Sequence, residues 1–203
     1  MDKQNDIKDV IIKTTKELLI KQGNVTIKEI SSKAFVNVAA INYHFGSKDN
    51  LIEIVIKEVI NDLRTKILSS IANIDIATVN FEETIYAMFD IVFEFAEANA
   101  GIINYSFLQL ANQSKAANIL IELFITDKEF IKVVTTHLAY SLPDVSDDVL
   151  FSKYIILFSS FVVPFFLSFS GWASFFDPDG KNSDAVEKHR LSYFSELKKI
   201  VFV

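Results

Sequence analysis

Apolar side chains at Ile7, Val10, Ile11, Leu18 and Leu19 fall on one stripe of a helix over residues 5–22. Gly23-Asn24 ends that stripe, as a residue suited to left-handed backbone just past a helix does. Thr26-Ile-Lys-Glu29 sets a hydroxyl and a carboxylate three apart, the spacing of a capping box, and opens a second helix to about Lys33. A turn over Ala34–Val36 leads into a short helix that Asn37 can cap and that ends near His44. Ser47 can cap the next one. Apolar positions at Leu51, Ile52, Val55, Ile56, Val59, Ile60, Leu63 and Ile67 carry it past residue 70.

The second half holds further starts. Asn80 precedes Phe81-Glu82-Glu83, with acids where the helix dipole favours them. Thr126 to Glu129 repeats the capping-box spacing, Ser146-Asp-Asp opens a segment to about Ser170, and Asp184 opens the last helix. Pro143 and Pro178 fall near boundaries, whereas Pro164 is expected to kink its helix. Counting starts gives an all-α chain of about nine helices with no internal repeat.

Composition narrows the class. Five Gly and three Pro in 203 residues suit helices better than loops or sheets, and a half-hydrophobic chain can fill a core. The absence of cysteine excludes disulfides, thiolate metal sites and a Cys nucleophile. The opening MDKQNDIKDV has no apolar core, so export is not expected and the cytoplasm is the expected compartment. Of the net charge of −6, residues 1–66 carry +2 and the remainder −8. A polyanion would therefore meet the N-terminal end. A charge of +2 implies few phosphate contacts, so affinity would need two subunits or contacts to bases.

The short helix has the dimensions for such contacts. Eight residues span roughly 12 Å, the width of the major groove. Val38, Ile41 and Phe45 face inward, leaving Asn37, Ala39, Ala40, Asn42 and Tyr43 nearer the outside. Asn42 can pair with an adenine edge and the two alanines can touch thymine methyls. Tyr43, His44 and Thr26 can bond phosphate oxygens, and Lys48 can bind phosphate beside the N–H groups of a helix start. Lys28 and Lys33 are further phosphate candidates. The same spacing also suits a three-helix packing unit with no DNA role, and His44 alone reads more readily as a surface or capping histidine than as a ligand.

Resemblance adds a family. From about residue 7 to residue 60 the chain resembles the N-terminal helix-turn-helix domain of the TetR family of transcriptional repressors. The matching residues are Thr26-Ile-Lys-Glu-Ile30, Ala34, Val36, Asn37, Ile41, Tyr43-His44-Phe45, Ser47-Lys48 and Leu51. The resemblance implies a homodimer whose C-terminal helices bind a small molecule, with occupancy moving the two DNA-binding heads apart and releasing the operator. It also implies a head over residues 1–46 and a ligand-binding and dimerisation domain over 47–203, linked by the helix at 47–72. Two departures stand out. Phe35 replaces the glycine usual in the turn, so a reshaped turn or an inward-packed ring is expected. The loop Gly23-Asn24-Val25 is about two residues short. A helical ligand-binding or scaffold protein that has lost operator recognition stays open as the alternative.

Aromatic residues crowd the second half, with 17 of 19 Phe, Trp172 and five of six Tyr after residue 80. That suits an apolar chamber, lined by Phe89, Phe93, Tyr105, Phe107, Gln109, Phe124, His137, Phe158, Phe161 and Phe165, for an apolar or aromatic effector. Ordinary core packing gives the same stripes. Residues 154–172 run uncharged for the length of a membrane span, but four serines, Pro164 and the acids Asp177 and Asp179 beyond them argue against insertion. A two-fold interface built from helices at about 147–170 and 184–201 is expected instead. His44, His137 and His189 lie far apart, and no phosphate loop or nucleophile elbow occurs. No catalytic residue, metal or cofactor is expected, and the chain does not read as an enzyme.

Overall fold

A computed structural model describes residues 3–72, 81–110, 114–169 and 183–202. Among them are ten α-helices, one π-helical turn and no strand. The helices are α1 (Lys3–Gln22), α2 (Ile27–Ala34), α3 (Val38–Phe45), α4 (Lys48–Ala72), α5 (Phe81–Ala98), α6 (Ala100–Leu110), α7 (Lys115–Ile121), α8 (Lys128–Ser141), α9 (Asp147–Phe169) and α10 (Ser183–Val201). The π turn is Glu122–Thr126, directly after α7. The chain divides into two compact units: residues 1–65 with 94–123, and residues 66–93 with 124–203.

In the first unit α1 lies beside α2 and α6, and α2 beside α3. Ile11, Leu19, Ile30, Ile41, Leu51 and Ile52 are removed from solvent altogether. Burial of each such side chain contributes about 1.5–3 kcal/mol, which is what holds helices as short as α2 and α3. Gly23 ends α1 at a φ of 68°. Gly101, in the first turn of α6, does more than turn the chain. A Cβ there would stand 2.1 Å from the Leu19 carbonyl oxygen and 2.4 Å from that of Ile20. Only a residue without a side chain lets the α6 backbone lie on the last turn of α1.

The second unit is built on aromatic packing. Tyr86 and Phe89 of α5 meet Phe194 of α10 with ring centroids 3.7 and 5.0 Å apart. Lys153 is buried on α9, and its ammonium donates to the carbonyls of Ile200 and Val201 at 3.3 and 2.9 Å. A cation thereby meets the negative end of α10 and satisfies its last carbonyls. Lys153→Met keeps the stem and removes these bonds, so stability should fall by about 1–3 kcal/mol. An unchanged urea midpoint would contradict that role.

Some element starts differ from expectation. Asp127, not Thr126, caps α8: its carboxylate accepts from the N–H groups of Glu129 and Phe130 at 3.1 and 3.0 Å. An ionised oxygen reaching two N–H groups is a stronger cap than a hydroxyl, and Thr126 is left closing the π turn. The last helix starts at Ser183, one residue before Asp184. Pro164 lies inside α9, which continues to Phe169. Among the described residues no helix is long and apolar enough to cross a membrane; residues 170–172 of the uncharged run lie outside them.

Candidate nucleic-acid interface

Two eight-residue helices and the turn between them place the residues of interest. The start of α2 is a complete capping box. Thr26 Oγ1 accepts from the Glu29 N–H at 3.2 Å, and the Glu29 carboxylate accepts from the Thr26 N–H and hydroxyl, each at 2.7 Å. These bonds from Thr26 hold the Glu29 carboxyl below the usual carboxylate range. With the folded value depressed, the box stabilises above the unfolded pKa and is lost as pH falls through the lowered one.

The turn after α2 is a Schellman motif. Phe35 N–H donates to the Ser32 carbonyl at 3.4 Å and Val36 N–H to that of Ser31 at 3.1 Å. The Ser31 hydroxyl donates to the Val36 carbonyl at 2.6 Å and closes the turn from the side. Phe35 sits at φ 56°, ψ 38°, the left-handed conformation expected of glycine, and is 95% exposed. Neither expectation for it holds: the turn keeps its glycine-type geometry and the ring points to solvent. Three hydrogen bonds fix the backbone, so the bulky residue bears the strain.

Asn37 caps α3 through Oδ1, which accepts from the Ala39 N–H at 2.9 Å. That oxygen is committed, so Asn37 can offer a base only its amide donors. Ile41 and Phe45 are buried and Val38 is half-buried, which turns Ala39, Asn42 and Tyr43 outward, Tyr43 at 77% exposure. Ala40 and His44 are half-buried; the His44 ring stands edge-on to Tyr43 at 5.1 Å. Gly46, at φ 75°, ends α3, and Ser47 Oγ accepts from the Asn50 N–H at 3.1 Å to cap α4.

The expected phosphate ligands divide. Lys28 is exposed. Lys33 instead pairs with Glu17 at 3.3 Å, and Lys48 donates to the Val25 carbonyl at 3.3 Å. The Thr26 hydroxyl proton goes to Glu29. Asn37, Ala39, Asn42 and Tyr43 are thus presented together on α3, while Thr26, Lys33 and Lys48 have partners within the head. Sequence alone showed the caps, and with them the Thr26–Glu29 pair, but not the partners of Lys33 and Lys48, which come from α1 and from the loop before α2.

The expected effector residues fall in both units. Tyr105 and Gln109 belong to the first unit, where they line a polar recess of about 590 Å³ with Asn24, Ser47, Lys48, Asp49, Asn50, Glu53, Ser114 and Lys115. Burial, with the nearby charge of Asp49, pushes the Tyr105 hydroxyl up. Phe107 is half-buried in the same unit. In the second unit Phe124 and Phe158 stack at 4.3 Å beside a cleft of about 30 Å³. Ile67, Met88, Val92, Phe130, Val134, Tyr154 and Leu157 complete its lining. Tyr154 donates to the Phe124 carbonyl in the π turn, and burial pushes its hydroxyl up. Phe89 and Phe93 stack on each other at 4.7 Å, while His137 Nδ1 bonds the Val133 carbonyl one helical turn back. The side chains of Phe161 and Phe165 lie outside the described residues. Met88, Phe130 and Tyr154 were not anticipated, although Tyr154 precedes Phe158 by one helical turn.

Comparison with known proteins agrees with the geometry of the head. Residues 11–55 match the family model described as bacterial regulatory proteins, tetR family. A crystal structure of a HlyIIR mutant protein carrying a GSSGSSG linker superposes with a TM-score of 0.59 at 16% identity, covering 98% of this chain and 97% of that one. At that identity the likeness is one of fold. No curated protein matches the sequence.

Proposed function

We propose, from the premise that the amino-terminal segment of this chain belongs to the tetR family of bacterial regulatory proteins, that it works as a homodimeric repressor released from its operator by a small molecule. Membership supports a DNA-binding transcriptional regulator. The observation that carries the reading is α3 itself: Asn42 and Tyr43 stand exposed on a helix whose other side, Ile41 and Phe45, is buried. Such a helix can enter a major groove without unfolding its own core.

Apolar surfaces of the second unit support pairing and release. Val149 and Ile156, seven residues apart on one face of α9, are 44% and 38% exposed, and Leu191 of α10 is 53% exposed. An apolar face of this kind gains by meeting its own copy. The cleft beside Phe124 and Phe158 is apolar, as an apolar effector requires, but holds about 30 Å³. Ligand sites run to roughly 300–1,000 Å³, so the two stacked rings would have to part for one to enter.

Selection of duplexes from a random pool by the full chain tests the reading. A homodimer should select a two-fold symmetric site with half-sites about one helical turn apart, or slightly more. Asn42→Ala should then lose about tenfold on the selected duplex and relax preference at one base pair. The Lys48 ammonium keeps two donors beyond its bond to the Val25 carbonyl, so Lys48→Ala should weaken binding on every sequence and reduce the salt slope by about one. Equal losses from both variants on all duplexes would contradict the role given to Asn42.

A further inference from the structure

Phe35 combines two unfavourable features that nothing inside the protein offsets. A residue with a Cβ is held at φ 56°, where glycine is at ease. Its ring is also more exposed than any other large hydrophobic side chain among the described residues. Strain of this kind persists where surrounding structure enforces it, and it clusters at sites that bind. Here Ser31 and Ser32 enforce the backbone, while no burial of the ring compensates.

Position supplies the rest. Phe35 lies two residues ahead of Asn37, so their Cα atoms are at most roughly 7.6 Å apart. In helix-turn-helix docking the N-terminal residues of the second helix reach base edges, and in the preceding turn only Val36 and the cap Asn37 separate Phe35 from that end of α3. A benzyl group projecting from that turn meets the apolar parts of DNA, which are the thymine C5-methyl and the C–H faces of deoxyribose. We propose that Phe35 is a DNA-contacting residue that packs on this apolar surface at the rim of the groove, its exposure in the unbound protein being the unfilled half of that contact. The proposal rests on the DNA-binding reading given above. It adds an apolar contact to a head whose net positive charge is small.

The test separates ring from backbone. Full-length wild type, Phe35→Gly, Phe35→Ala and Phe35→Leu are titrated against the duplex selected from a random pool, at two salt concentrations, and each is melted without DNA. Glycine should raise the melting temperature by about 2–4 °C by relieving the left-handed strain. Both Gly and Ala should weaken binding roughly five- to tenfold, the scale of losing a half-buried benzyl group. Leu should keep most of the affinity, and the salt slope should stay unchanged in all four because no phosphate contact is lost. Replacing thymine by deoxyuridine across the selected site assigns the surface. A wild-type loss that Phe35→Ala does not share identifies the methyl, and no such loss identifies the sugar. Binding by Phe35→Ala within twofold of wild type overturns the proposal and sends the ring to a protein partner instead. A loss seen with Gly but not with Ala also overturns it, since loop entropy then explains the effect. If the wild type selects no duplex, the DNA-binding reading falls first and this inference with it.

Discussion

Gly101→Ala should destabilise the first unit by about 3 kcal/mol or more, the upper range for overpacking. The added methyl would overlap the backbone oxygens of Leu19 and Ile20, not the tip of a side chain that can swing away. Relief requires α6 to draw back from α1 by about an ångström, by the gap between the built contact and ordinary van der Waals distance. Ile102, Ile103 and Ser106, all buried on α6, would lose packing with it. Urea unfolding followed by far-ultraviolet circular dichroism should show a midpoint lowered by about 1 M or more. Gly23→Ala is the natural comparison. Its Cβ would meet nothing nearer than 3.5 Å, so only the φ of 68° opposes it, and a cost of about 1 kcal/mol is expected. Equal midpoints for the two variants would mean that the α1–α6 approach can relax.

Ala39→Glu should abolish recognition of the selected duplex, by at least roughly hundredfold, while leaving the fold intact. Ala39 is exposed in the first turn of α3, where a carboxylate complements the helix dipole and does no harm to the free protein. In the groove the same carboxylate would face phosphates on both sides. Melting temperature and binding by fluorescence anisotropy should therefore separate cleanly. Binding retained within threefold would place this face of α3 away from DNA.

Local chemistry made the head readable. Thr26 with Glu29, Asn37 with Ala39, and Ser47 with Asn50 all act within three residues, so their spacing carries the information, and each cap forms. Alternation of Ile41 and Phe45 with polar neighbours likewise fixes which side of α3 is buried. The relations that sequence left unread are long-range. Lys33 finds Glu17 and Lys48 finds the Val25 carbonyl only once helices pack. Nothing in the run Ala100–Leu110 says that its glycine rests on α1, because an absent side chain leaves no periodic signal. The same blindness explains the effector residues. Aromatic density marks burial but not the neighbour, so the sequence does not tell that Tyr105 and Gln109 belong to the first unit and Phe124 and Phe158 to the second. At Phe35 the sequence showed a conflict between residue type and turn, and its resolution depended on the hydroxyl of Ser31.

The ion pairs Lys33–Glu17 and Lys16–Asp62 discharge part of an already modest cationic surface. On the DNA-binding reading proposed above, a protein so equipped would grip bulk chromosome weakly, since indiscriminate adhesion to duplex depends on phosphate neutralisation. Fewer copies would be sequestered along the genome, leaving a larger unbound pool to find one address. Occupancy of that address would then follow the quality of its bases more than the abundance of the protein, and would change little when the salt concentration rises.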